Sequence, residues 1–253
     1  MAAIRPTTLL VEASVAVGPA CAHGARPVHT AEAKIAAHAT AIRARGRQRT
    51  AVRRDGEELA YAVCSGVFIV EVMLPGDRHQ ILGLLYPGDV IRSSQMPPLQ
   101  GAGITVITET GELARLKWPQ LEGLAAGDAE IARYLYDRLA DLSARQAMHA
   151  TVIASLTGEE RVASLLVELA ERIGTRAADG IVFDILLSRA DIADYLALNA
   201  DTVSRIISKL RAKGLVLQPG RSRYICHDTR ALGAETPIAE ALGALHRRES
   251  TSG

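Results

Sequence analysis

Asp201, Ser204 and Arg205 stand at i, i+3 and i+4, a spacing that brings three side chains to one side of any helix carrying them. A carboxylate can accept from cytosine N4, a guanidinium can span guanine O6 and N7, and a hydroxyl adapts to either. Together they can read base edges in a major groove. From Thr202 to His227 the chain has six basic residues, Arg205, Lys209, Arg211, Lys213, Arg221 and Arg223, and no acidic one. Such a run suits phosphate contact. The chemistry on offer is recognition of double-stranded DNA, and Arg189, Asn199 and Thr202 complete the residues expected at the duplex.

Two short helices and a tight turn must position this trio. Ser188 can cap a first helix with Asp191 at the reciprocal position of a capping box, and Ile192 and Leu196 then share one face. The turn falls at Ala197 and Leu198. Asn199 caps a second helix carrying Val203, Ile206, Ile207 and Leu210, which ends at Gly214. Beyond it, GLVLQPGRSRYICH reads as two short strands about Pro219 and Gly220, a wing that places Arg221 and Arg223 toward phosphates. Any amphipathic helix pair with a solvated basic face shares the apolar spacing; the agreement of caps, turn and wing favours DNA.

The segment DIADYLALNADTVSRIISKL resembles the recognition motif of the CRP/FNR family of bacterial transcription regulators, most like its FNR and FixK branches, whose reading helix carries E-x-x-S-R. Ser204 and Arg205 match. Asp201 replaces the glutamate with a side chain one methylene shorter, which leaves the DNA half-site unassigned. Ala197 stands where the family usually has glycine; if that position needs positive φ, alanine costs about 1 kcal/mol there. The resemblance extends to YAVCSGVF and ILGLLYPGDV, with Gly66 and the Pro87-Gly88-Asp89 corner matching the family's cyclic-nucleotide-binding-like jelly roll. It implies a homodimer that meets RNA polymerase.

Elsewhere the 253 residues carry 48% hydrophobic and 23% charged residues with a net charge of +1. That is ordinary for a globular chain of two domains, so the argument for DNA rests on where charge sits. Three widely spaced cysteines, Cys21, Cys64 and Cys226, point to a reducing, cytoplasmic setting without a disulfide framework. No apolar run reaches the length of a membrane span. The opening has a faint signal-peptide look that Glu12 and Pro19 interrupt, so residues 1–30 are expected to be a poorly ordered extension.

In chain order, a helical stretch is expected at residues 31–45. Short strands follow from 48 to 116, through AYAVCSGVFIVEVML, a turn at 75–77, HQILGLLY, 103–109 and 112–116. The Arg-rich stretch Arg43, Arg45, Arg47, Arg49, Arg53 and Arg54 reads as a solvated strand edge. Residues 128–156 form one long helix, in which Leu135, Leu139, Leu142, Gln146, His149, Ile153 and Leu156 follow the 4, 3, 4, 3 spacing of a two-stranded seam. A core helix packed on its own roll is the alternative. Thr157 and Glu160 restart the chain with a capping box, placing a hinge near Thr157. The fold class is therefore α+β: an antiparallel jelly-roll sensor at 31–127, a dimerisation helix at 128–156, a winged helix-turn-helix at 157–232 and a tail at 233–253.

Effector chemistry is narrowed by what is missing. Aligned through Pro87-Gly88-Asp89-Val90, the positions that hold a cyclic nucleotide in the family carry Arg92, Ser93, Gly101 and Ala102. A buried cyclic phosphate would lack its cation, so cyclic AMP is not expected. Only Cys21 lies in the N-terminal segment where FNR proteins concentrate cluster thiolates, so no iron-sulfur cluster is expected. Haem ligation through His79 or His149 stays open without a supporting motif. So does oxidation of Cys226 in the wing. A cupin-like enzyme would need a His-x-His pair, and none exists; no catalytic or metal-binding residue is assigned, and the effector stays unknown.

Overall fold

The long apolar run VFIVEVML leaves no face for water, and the fold supplies a cover on both sides of it. In the computed structural model, residues 30–52, 56–76, 78–99 and 101–247 are described. The expected N-terminal extension, Cys21, Arg53, Arg54 and the last residue of the 75–77 turn lie outside them. The chain opens with α1 (Thr30–Ala36), then β1 (Thr40–Arg45), β2 (Arg49–Ala51), β3 (Leu59–Ser65), β4 (Phe68–Leu74), β5 (Arg78–Leu85), β6 (Val90–Arg92), β7 (Gly103–Val106) and β8 (Thr110–Lys117). Two antiparallel four-stranded sheets result, ordered β1-β8-β3-β6 and β2-β7-β4-β5. Phe68, Val70, Val72, Ile104 and Leu113 fill the space between them.

Two glycines make the corners. Gly66 joins β3 to β4 at φ 78°, and a Cβ there would lie 2.6 Å from the Thr110 carbonyl oxygen. Gly88 turns the Pro87-Gly88-Asp89 corner at φ 93°. An L side chain is disfavoured at either.

The single helix expected over residues 31–45 is corrected. Only α1 is helical, and Thr40 to Arg45 pair with β8 in full register, Thr40 opposite Arg115 and Arg45 opposite Thr110. Local composition favours a helix; the unpaired edge of β8 overrides it.

Helices α2 (Trp118–Gly127) and α3 (Ala129–Ser155) follow, and the Asp128 carboxylate caps α3 by accepting from the amides of Glu130 and Ile131. Then come α4 (Gly158–Ile173), β9 (Thr175–Ala177), β10 (Gly180–Asp184), α5 (Arg189–Leu196), α6 (Ala200–Ala212), β11 (Val216–Leu217), β12 (Arg223–Cys226), α7 (Thr229–Gly233) and α8 (Ala239–Arg247). The last four strands form a small sheet, β11-β12-β10-β9.

The second cover on β4 is this C-terminal unit. Ile69, Ile81, Leu84 and Tyr86 belong to the same buried cluster as Leu165, Leu166, Ile192 and Ile207. Roll and reading unit therefore share an apolar core.

The expected seam on α3 divides in two. Leu135 is buried with Trp118 and Ile131, Leu142 with the roll interior, and the His149 ring stacks on Tyr195 of α5 at 4.0 Å. Leu156 is buried too. Leu139 is half-buried against the Trp118 and Leu135 cluster and Gln146 borders the cleft beside the roll, while Ala132, Tyr136, Ser143 and Ala150 are exposed, Tyr136 by 74%. Apolar spacing on one helix cannot by itself separate contacts within a chain from contacts across a seam, and here it merged both.

Candidate nucleic-acid interface

The α5–α6 pair is built by local chemistry. Ser188 and Asp191 form a reciprocal box, with the Asp191 amide donating to Ser188 Oγ at 3.0 Å and the Ser188 amide to Asp191 Oδ2 at 2.8 Å. Helix α5 ends at Ala197, whose φ of 52° and ψ of 48° put a non-glycine residue in the left-handed region. The Asn199 side chain then accepts from the Thr202 amide at 2.7 Å and starts α6. Val203, Ile206, Ile207 and Leu210 are buried against α4 and α5. Because α6 is anchored by this apolar stripe, its opposite side is fixed outward.

The strain at Ala197 gives a direct test. Ala197→Gly is expected to stabilise the protein by about 1 kcal/mol, and a thermal melt should rise by roughly 2 to 4 °C. An unchanged or lower midpoint would show that the turn relaxes without glycine.

Arg161 on α4 was missed by the sequence reading, which saw only an apolar stripe there. Its Nε donates to the Leu156 carbonyl at 2.9 Å and its Nη1 to the Leu196 carbonyl at 3.0 Å. One guanidinium thus serves the last turns of both α3 and α5, where helical carbonyls lack partners. Thr157 beside it forms the expected capping box, its amide donating to Glu160 Oε2 at 2.7 Å.

On the outer side of α6, Asp201, Arg205, Ser208 and Lys209 are exposed and Ser204 is half-buried. Ser204 Oγ donates to the Ala200 carbonyl at 2.8 Å, and Arg205 Nη2 to Thr202 Oγ1 at 3.1 Å. Asp201, Ser204 and Arg205 are brought together as the spacing requires. Lys209 and Lys213 are held in surface ion pairs with Glu159 and Glu235, each 2.6 Å at the nearest oxygen. Such pairs contribute about 0 to 1 kcal/mol, so either lysine can change partners readily. Arg221 is exposed at the wing tip, and Arg223 lies 3.8 Å from Asp184.

Arg189 is placed differently from the rest. Its Nη1 donates to Tyr224 Oη at 2.8 Å and its Nη2 to Gln218 Oε1 at 2.5 Å, so it braces the wing against α5.

The open sensing questions meet specific geometry. Arg92 donates to Glu58 and lies over the Trp118 ring at 3.7 Å, while Ser93 Oγ accepts from the Leu59 amide at 3.0 Å. The positions that would face a cyclic nucleotide are thus engaged in holding the roll. Both nitrogens of His79 face carboxylates, and burial pushes the His149 imidazole down to about 4. Ligation through His79 would require giving up the carboxylate contact of one ring nitrogen. Cys226 is buried, and burial pushes its thiol up to about 11, against ready oxidation. Among the described residues, no group of three or more His, Cys, Asp or Glu is placed to hold a metal ion, and no helix is long and apolar enough to cross a membrane. A cleft open to solvent separates the roll from α3 and α4, with Leu82, Met96, Leu142, Gln146 and Val152 in its wall together with Arg145, Arg161 and Glu168.

A jelly roll joined by a long helix to a winged helix-turn-helix defines a DNA-binding transcription regulator with a sensor-type domain. The profile of the Crp-like helix-turn-helix domain matches residues 160–235. The chain is 32% identical over 177 residues to the nitrogen fixation regulation protein FixK of Azorhizobium caulinodans, covering 69% of this chain and 70% of that protein. It is 25% identical over 171 residues to the transcriptional activator protein Anr of Pseudomonas protegens, covering 68% and 70%. The solved structure of FixK2 from Bradyrhizobium japonicum superposes with a TM-score of 0.66 at 27% identity, covering 78% of this chain and 97% of that one. The chain belongs to the CRP/FNR family of transcription regulators, on the FixK side of it.

Proposed function

We propose that the protein binds an inverted-repeat DNA site as a homodimer, with the α6 helices of two copies in successive major grooves about one helical turn apart. Asp201, Ser204 and Arg205 read base edges; Thr202, Lys209, Lys213, Arg221 and Arg223 meet the backbone; Asn199 orients the helix through its cap. One observation carries the reading: the polar side of α6 faces solvent, with α4, α5 and β11 packed behind it.

Pairing runs along the outer side of α3 through Tyr136, Ser143 and Ala150, with Leu139 and Ile153 at its border. The first three recur every seven residues, and two of them are small, which lets two helices approach closely. Roll, α3 and winged unit act as sensor, dimeriser and reader, with boundaries near residues 128 and 157, and the tail from 233 packs back on α4 through α8. The cleft beside α3 is the place for a small effector, since its wall sets Leu82, Met96 and Val152 beside Arg145, Arg161 and Glu168. Such a regulator works in the cytoplasm, delivers its effect to RNA polymerase and performs no catalysis.

Selection from a random DNA library with the full chain tests this. Two-fold symmetric sequences are expected, bound by a species of twice the 27.0 kDa chain mass. Asymmetric sites or a bound monomer would overturn the proposal. Repeating the selection with Asp201→Glu should change the preferred base pair at one position of each half-site, because the carboxylate then reaches about 1.5 Å further. An identical consensus would remove residue 201 from the base-reading set.

A further inference from the structure

Of the arginines expected to form a solvated edge, Arg43 and Arg45 are exposed, while Arg47 and Arg49 also reach carboxylates on other elements. Arg47, in the turn after β1 at φ 64°, donates through Nη2 to Asp191 Oδ1 of α5 at 2.8 Å. Arg49 Nε donates to Glu71 Oε1 at 2.8 Å and its Nη2 to the Gly101 carbonyl. Glu71, only 6% exposed, also accepts from Thr105 Oγ1 at 2.6 Å. These groups surround His79 on β5, at the rim of the apolar core shared by roll and reading unit.

His79 Nε2 lies 2.7 Å from Glu71 Oε2, and His79 Nδ1 lies 3.0 Å from Asp194 Oδ2 on α5. An ionised carboxylate only accepts, and a neutral imidazole has one N–H to give. Both contacts close together only when the ring carries two protons. Beside them Gln80 Nε2 donates to the Asp194 carbonyl at 2.9 Å, a bond indifferent to pH.

We propose that His79 is a proton-operated latch between the roll and the reading pair: charged, it holds α5 onto β5 through Asp194; neutral, it releases that carboxylate. The groups facing it are Glu71 from β4, Asp194 from α5 and Arg49 from β2 behind Glu71, with the Arg47–Asp191 pair further toward the start of α5. Glu71 has Arg49 and Thr105 to keep it in place. The Asp194 side chain is 37% exposed, so the α5 end is the one that opens to water. Helices α5 and α6 are joined by the tight turn at Ala197, so the latch state reaches the reading helix. This goes beyond DNA binding itself and holds whatever site α6 reads.

Electrostatics support the geometry. Burial lowers the His79 pKa, but the hydrogen bonds to Asp194 and Glu71 outweigh it and raise the ring above its usual 6.5. Burial likewise raises Glu71, and the bonds from Thr105 and His79 more than offset it, holding the carboxyl below 4.5 and ionised. For a group whose folded pKa is raised, the stabilisation is complete below the unfolded value and is lost as pH climbs through the folded one. The latch is therefore closed below pH 6.5 and opens as pH rises through the raised His79 value.

Two measurements on the full chain test it. In an NMR titration, the His79 ring should titrate above 6.5 in the parent protein and lower in Asp194→Asn, which removes one of the bonds that raise it. Hydrogen exchange of the α5 peptide is then compared between parent and His79→Gln at matched pH. The parent should be protected several-fold more at about pH 6, and the ratio should approach one near about pH 8.5. His79 titrating at or below 6.5 would overturn the latch. So would a protection ratio that is the same at both pH values.

Discussion

Arg205→Ala is expected to weaken the preferred DNA site by about 1 to 3 kcal/mol, roughly a five- to 150-fold loss, while binding to random DNA falls far less. Arg205 is exposed and bonded only to its neighbour Thr202, so it can swing to a guanine without breaking a buried contact. Its removal also leaves α6 intact, because the helix is held by Val203, Ile206, Ile207 and Leu210 on the other side. Lys213→Ala is the control. That lysine meets phosphate after exchanging Glu235, so its loss should be smaller, equal on all sequences and visible as a shallower salt dependence. Titrations at two salt concentrations separate the variants; equal losses on specific and random DNA for Arg205→Ala would remove it from base reading.

Ser143→Glu combined with Ala150→Glu is expected to leave the chain monomeric at micromolar concentration and to reduce affinity for a two-fold symmetric site by about 100-fold or more. In a two-fold seam each residue lies near its own counterpart, so each substitution sets like charges against each other. A dimer binds its second half-site at high effective concentration, and a monomer loses that advantage. Ser143 and Ala150 are both exposed, and glutamate is a good helix former, so the fold should survive. Light scattering and circular dichroism on the same sample check both points. A dimer persisting in this variant would place the pairing surface elsewhere, and Leu142→Glu would not serve, since Leu142 belongs to the roll's own core.

What could be read from the sequence was what is decided locally. The Ser188–Asp191 box, the Asn199 cap and the left-handed turn at Ala197 are each set by residues within four positions of one another, and all three are present. The Gly66 and Gly88 corners were legible through the family resemblance, and both take positive φ. Features decided at long range were not. Residues 40–45 became a strand because β8 offered an edge some seventy residues away. Arg47 and Arg49 carry no sign that Asp191 and Glu71 await them. The strands β9 and β10 were missed because β9 is exposed throughout and β10 largely uncovered, leaving little alternation to read. On α3, apolar periodicity was recognised correctly as periodicity but could not say which neighbour each leucine meets.

Arg161 ties the last carbonyls of α3 and α5 to one planar group, so the base of the reading pair cannot pivot independently of the long helix's end. With α6 about 20 Å long, a twist of roughly 10° transmitted through that rivet displaces its far tip by about 3 Å. In the proposed dimer that displacement doubles, to nearly the rise over two base pairs. Small torsion at the stem therefore suffices to take both fingers in or out of step with the pitch of the double helix.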